Sequence, residues 1–102
     1  MQIFSENKKG TLSVFMTGEL DEYSAGYIKQ KLDILFAGEN FERIVMDFKN
    51  LDFMDSTGIG VLISRYKQMQ QRKIPIYLAN PNSQMERIFK MSGLYKIMPL
   101  IS

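Results

Sequence analysis

The sequence predicts an α/β fold, a mixed sheet of about four to five strands with helices mainly on one face. Two observations predict it. Short β-rich runs alternate with stretches of helical periodicity, in the order β-β-α-β-α-β-α and a tail. The length of 102 residues fits a single domain over 1–102, without repeat, linker or low-complexity segment.

Gln2-Ile3-Phe4 reads as a short strand and Asn7-Lys8-Lys9-Gly10 as a turn. Thr11 to Thr17 alternates with β-rich composition, so the two runs pair as a hairpin. Thr17-Gly18-Glu19-Leu20-Asp21 breaks the second strand. A helix follows from about Ser24, with Ala25, Ile28, Leu32, Leu35 and Phe36 on one face and Gly38 placed to end it. Arg43 to Phe48 is the next strand. Its apolar run Ile44-Val45-Met46 is that of a strand covered on both faces.

A helix-like run from Val61 to Gln71 follows, and Ile59, Leu62, Ile63, Tyr66 and Met69 keep one-faced spacing. Tyr66 reads as core. Ile74 to Leu78 is a strand, with Pro75 near its start or at an edge. The last helix has two readings. Asn80 caps it with Pro81 in the first position, or Ser83 and Glu86 form a capping box. Met85, Ile88 and Phe89 form its stripe and Gly93 closes it; Lys96 to Ile101 is a final apolar segment.

Composition removes several function classes. Thirteen basic and eleven acidic residues leave a net charge of +2, and no basic run of nucleic-acid type occurs. No apolar stretch approaches membrane-span length and no secretory leader is recognisable, so the expectation is a cytosolic protein with no membrane partner. There is no cysteine and no histidine, which removes thiol chemistry, the usual zinc sites and the commonest general base. Gly58-Ile59-Gly60 starts like a dinucleotide fingerprint, but the third position is Ile63, so the glycines read as close helix-to-sheet packing. No catalytic residue, metal or cofactor is expected, and the chain reads as a non-enzyme.

Met54-Asp55-Ser56-Thr57-Gly58-Ile59-Gly60 stands out, because it joins a strand to the central helix. Asp55 and Ser56 are both candidate caps. A hydroxyl at a helix start lies beside unpaired N–H groups and the positive end of the helix dipole. That place suits phosphate, either as a bound ligand or attached covalently to Ser56. On residue pattern alone Ser56 reads as a cap and Asp21 as a turn residue.

Phe53 to Leu62, continuing into Arg65-Tyr66-Lys67, resembles the signature of STAS-domain anti-sigma factor antagonists, closest to those of sporulation. Thr17 to Asp21 resembles that family's loop after the second strand, and Ile88 to Ile97 its late helix and return. The likeness runs from about Thr11 to Pro99, and the three ordered segments together are highly specific.

The resemblance implies a single STAS domain acting by partner switching. The unmodified antagonist binds an anti-sigma factor, itself a GHKL-type serine kinase, and so releases the sigma factor. The kinase then phosphorylates the serine after the signature aspartate, here Ser56, and a PP2C-type phosphatase reverses it. Partner-binding residues are then Asp21, Asp55, Ser56, Thr57 and Gly58; Thr57 is not the usual phosphoacceptor. Asp21 is expected beside Ser56, since both loops leave carboxyl ends of strands.

A competing reading is a non-cycling scaffold subunit of a larger signalling or transport complex; nucleotide hydrolysis finds no base in the sequence. Two departures from the family pattern stand out. The family's C-terminal helix is not found before Ser102, so that Ile97, Met98, Leu100 and Ile101 lack their usual cover or pair with another chain. Ser64 occupies a position that is often Gly.

Overall fold

In the computed structural model, which describes residues 1–101, the strands are β1 (Gln2–Lys8), β2 (Thr11–Leu20), β3 (Arg43–Asp47), β4 (Leu51–Met54), β5 (Ile76–Ala79) and β6 (Leu100–Ile101). The helices are α1 (Ala25–Phe36) after β2, α2 (Ser56–Gln71) after β4 and α3 (Ser83–Ser92) after β5, with a 3-10 turn over Leu94–Lys96. The sheet order is β1-β2-β3-β5-β6, with β4 paired to β2. β1 is antiparallel to β2 and the other pairs are parallel. The sheet is therefore mixed, as expected; the short strands β4 and β6 add to the elements read from sequence.

The hairpin turns at Lys9 (φ 51°) and Gly10 (φ 82°), and Lys8 and Thr11 are register partners. Two positive φ angles match the right-handed twist of the flanking strands. β1 runs on to Lys8 instead of stopping at Phe4, because Ser5 to Asn7 find partners along β2.

β2 also runs longer than its composition suggests. Gly18 does not end it; the strand changes partner there. Thr11 to Phe15 pair with β3, and after a register irregularity between Gly18 and Glu19 the strand pairs with β4 as far as Leu20 and Met54. Gly18 has φ 100°, and a Cβ on it would stand 3.1 Å from the Met1 Cα. The glycine thus redirects the strand and lets the N-terminus pass close by.

All three helices contribute to one core on one side of the sheet. Leu12, Val14, Met16, Ile44, Met46, Ile76 and Leu78 face Ile28, Leu32 and Phe36 of α1, Ile59, Leu62 and Met69 of α2, and Met85 and Phe89 of α3. The other sheet face carries half-buried Ser13, Phe15, Val45 and Tyr77. This corrects the expectation that β3 is covered on both faces: burial alternates along it, and Val45 lies on the open side. Tyr66 is half-buried, packed against the core from its edge.

The helix ends follow local chemistry. α1 ends at Phe36 with Ala37 as its C-cap, directly before the expected Gly38, and the Arg72 guanidinium donates to the carbonyl oxygens of Phe36 and Gly38. Arg65 is 6% exposed between α1 and α2. Its Nε lies 3.2 Å from Asp33 Oδ1 without the alignment of a hydrogen bond, and its guanidinium also donates to Ser64 Oγ. Because Asp33 is half-exposed, this ion pair is worth little, and it leaves the buried Arg65 Nε without a hydrogen bond.

α3 uses neither expected cap. Asn82 Oδ1 accepts from Met85 N at 2.9 Å, Ser83 is the first helical residue, and Asn80 sits at φ 55° with its amide on the Asp47 carboxylate. Gly93 closes α3 in the left-handed region, as expected. Met98 is buried and Leu100–Ile101 pair with β5 of the same chain, so this segment is not uncovered throughout; Ile97, Leu100 and Ile101 stay partly exposed.

The N-terminus of α3 is stitched to β4, whose outer edge has no strand partner. Gln84 Nε2 donates to Met54 O at 2.7 Å, and Gln84 Oε1 accepts from Met54 N at 3.3 Å. Asn82 Nδ2 donates to Asp52 O at 3.1 Å. One side-chain amide thus takes the place of a neighbouring strand.

Gln84→Ala leaves two part-buried backbone groups unpaired and should cost about 1–3 kcal/mol. Each kcal/mol lowers the melting temperature by about 4–8 °C in a domain of this size. An unchanged melting curve would show the stitch to be dispensable.

Candidate functional site

β2 and β4 end level with each other. Leu20 and Met54 are register partners, and Asp55 N donates to Leu20 O at 3.3 Å. Asp21 and Asp55 therefore leave adjacent strand ends side by side, although far apart in sequence. This is the carboxyl end of the parallel strands, where α/β folds gather their sites.

α2 begins at Ser56, ahead of the helix-like run read from Val61 and directly at the two candidate caps, Asp55 and Ser56. Asp55 is its cap: Oδ1 accepts from Thr57 N at 2.9 Å and from Gly58 N at 3.2 Å. Ile59 N donates to Asp55 O at 3.2 Å. Of the two candidate caps the carboxylate takes the role, which leaves Ser56 as the first helical residue, exposed on the surface. Thr57 is half-buried behind it.

Gly58 is buried where α2 presses on the sheet. A Cβ there would collide with Met54 Cγ, stand 2.9 Å from Leu20 Cγ and 3.1 Å from Leu20 O. Its role is close approach, as read from sequence. Gly60 is different: nothing lies within 4 Å of a Cβ built on it, so close packing does not explain it.

The Asp21 loop is as well fixed as the Asp55 cap. Asp21 Oδ1 accepts from Tyr23 N at 2.9 Å and from Ser24 N at 3.0 Å. In return Ser24 Oγ accepts from Asp21 N at 3.1 Å and donates to Glu19 O at 2.7 Å. This reciprocal pairing is the logic of a capping box, and Ala25 N donates to Asp21 O as the first helical turn closes.

The structure thus brings together Asp21, Asp55, Ser56, Thr57 and Gly58. Sequence reasoning missed Gln84 and Asn82, which hold β4 from outside, and Ser24, which locks the Asp21 turn. Only Ser24 left a signal, as the fourth residue of an Asp-x-x-Ser run.

The chemistry at this end of the sheet is one-sided. The segments 11–24 and 50–64 contain Glu19, Asp21, Glu22, Asp52 and Asp55 and no lysine or arginine, in a chain of net charge +2. At the start of α2 a free phosphate would meet the Asp55 carboxylate, which already takes the N–H groups of Thr57 and Gly58. Those donors are therefore not open, contrary to the expectation of free N–H groups at this helix start. The geometry disfavours a bound anion and leaves Ser56 as an accessible hydroxyl. No described helix is long and apolar enough to cross a membrane.

Comparison with known proteins agrees with this geometry. Residues 2–102 match the STAS domain model. A relative from Paenibacillus polymyxa named anti-sigma F factor antagonist is 38% identical over 100 residues, spanning 98% of this chain and 86% of its own length. The solved structure of the anti-sigma factor antagonist SpoIIAA in its unphosphorylated form superposes with a TM-score of 0.81 at 25% identity, covering 99% of this chain and 89% of that one. The Bacillus cell fate determinant SpoIIAA in its phosphorylated form gives a TM-score of 0.74 at 26% identity, covering 99% and 92%. The chain belongs to the STAS-domain family, alongside proteins named as anti-sigma factor antagonists.

Proposed function

We propose that this protein is a cytoplasmic anti-sigma factor antagonist whose partner binding is switched by phosphorylation of Ser56. As an STAS-domain protein of this group it is a binding module and not an enzyme. One observation carries the reading: Ser56 is exposed at the first position of α2, directly after the capping Asp55 and beside the Asp21 loop. That SpoIIAA is known in unphosphorylated and phosphorylated forms supports it by analogy.

In this reading the unmodified face, formed by Asp21, Asp55, Ser56 and Thr57, binds an anti-sigma factor that is also a GHKL-type serine kinase, and the sigma factor is released; Gly58, expected on that face, is buried and supports it from beneath. The kinase transfers phosphate to the Ser56 hydroxyl, and a PP2C-type phosphatase removes it. Phosphate brings a charge of about −1.5 to −2. It joins a surface that already carries five carboxylates, Glu19, Asp21, Glu22, Asp52 and Asp55. The helix dipole tolerates the added charge. The cap and the Gly58 packing lie inward of the hydroxyl, so the fold is left in place while the surface changes.

Phosphorylated protein should bind the anti-sigma factor about ten- to a hundredfold more weakly, or about 1.4–2.8 kcal/mol. Ser56→Ala should bind and resist the kinase; Ser56→Asp should bind weakly. Calorimetric titration of unmodified and enzymatically phosphorylated protein, with circular dichroism of both, decides it. Equal affinities would remove the switch, and loss of the fold would show that phosphate acts by unfolding.

Gly58→Ala should cost about 1–3 kcal/mol, since the helix start must move off β2 and β4. Gly60→Ala, at an open helical position, should stabilise by up to about 1 kcal/mol and leave kinase binding unchanged. Chemical denaturation of both variants with the same titration checks this, and equal stabilities would refute the close-approach role.

A further inference from the structure

The loop that holds Asp21 also holds Tyr23, which is 89% exposed. An aromatic ring left in water at the rim of a proposed contact face is unusual, because Tyr carries a large apolar area. Its backbone is rigidly placed, since Tyr23 N is one of the two donors held by Asp21 Oδ1. Nearby positions repeat the theme. Tyr27, one helical turn further on, is 45% exposed, and Phe53, the register partner of Glu19 on β4, is 38% exposed.

We infer that Tyr23 is an aromatic anchor for the anti-sigma factor and that Asp21 is a positioning residue acting through it. The inference rests on the partner proposed above and assigns how that partner is gripped. Interfaces concentrate their energy in a few aromatic and arginine side chains that enter pockets. A ring on an already fixed turn loses little freedom on binding. The exposed carboxylates of Glu19 and Glu22 beside it in sequence define what the partner offers: an apolar pocket rimmed by lysine and arginine. Asp21 directs Oδ1 to the turn, so its main contribution is the place and direction of Tyr23.

The test is titration calorimetry of the anti-sigma factor kinase against variants of this chain, each checked by circular dichroism. Tyr23→Ala should weaken binding at least about tenfold, and Tyr23→Phe should stay within about threefold of wild type. Asp21→Asn keeps an oxygen that accepts the same N–H groups. It should stay within about threefold, whereas Asp21→Ala should lose as much as Tyr23→Ala. The double variant Y23A/D21A should be no weaker than Y23A, as expected of two residues acting as one unit. Should Asp21→Ala disturb the fold, Y23A and D21N still decide the matter. Binding by Y23A within threefold of wild type overturns the anchor. D21N as weak as D21A overturns the positioning role, since charge would then be the contact. Ser56→Asp separates the two proposals: if it binds like wild type while Y23A fails, the switch falls and the anchor stands. Absence of wild-type binding overturns both.

Discussion

The level ending of β2 and β4 is the constraint on which the rest of the site depends. Leu20 and Met54 pair as the last residues of parallel strands, and Asp55 N closes on Leu20 O. Both loops leave from that point, and each holds an aspartate that accepts two backbone N–H groups, Asp21 in the turn before α1 and Asp55 as the cap of α2. Because strand spacing is fixed at about 4.8 Å, the two aspartates cannot drift apart while the pairing holds. Gly58 lets α2 rest on this junction, and Gln84 closes the outer edge of β4. The alternative at that edge would be a short unpaired strand at the functional face, which is a liability for non-specific pairing.

How much of this was legible follows from the kind of physics involved. Periodicity along one element reads directly: the buried stripe of Ala25, Ile28, Leu32 and Phe36 and the left-handed Gly93 are both properties of neighbouring residues. What failed depended on tertiary partners. Gly18 reads as a strand breaker, yet β2 crosses it because β4 offers new hydrogen bonds on the far side. Val45 reads as core because it lies between two core residues, but it belongs to the open face. At the site, Ser56 and Asp55 compete for the cap by composition, and the carboxylate takes two N–H groups where a hydroxyl commonly takes one. Gln84 left no trace, since any polar residue is acceptable in the first turn of a helix until β4 is placed beside it.

The charge distribution is a second property that whole-chain numbers conceal. A net charge of +2 suggests an unremarkable surface, yet segments 11–24 and 50–64 carry five acids and no base. Bases adjoin these segments and lie beyond them: Lys49 and Arg65 directly flank the second, Lys8 and Lys9 are on the hairpin, Lys29 and Lys31 on α1, and Lys67, Arg72 and Lys73 towards the far end of α2. For the partner proposed above, positive charge facing these acids would act mainly on the rate of encounter. Steering of this kind weakens with salt, whereas burial of an apolar side chain does not. A face combining the two separates recognition at a distance from grip on contact.

The same separation explains how a small domain can accept a doubly charged group. A chain of this size holds its fold by about 5–15 kcal/mol, so a modification of comparable energy placed in the core would unfold it. The Ser56 hydroxyl lies outside every interaction that secures the junction: the cap belongs to Asp55, the close approach to Gly58 and the edge to Gln84. Charge added there meets the dipole of α2 from the favourable end, worth about 0.3–1 kcal/mol at an exposed site. It meets the neighbouring carboxylates from the unfavourable side, where each repulsion is softened by water. Within the domain these terms nearly cancel. In the complex proposed above they would not, because an interface expels the screening water. The free energy of the proposed modification would therefore fall on the complex, where a switch has to act.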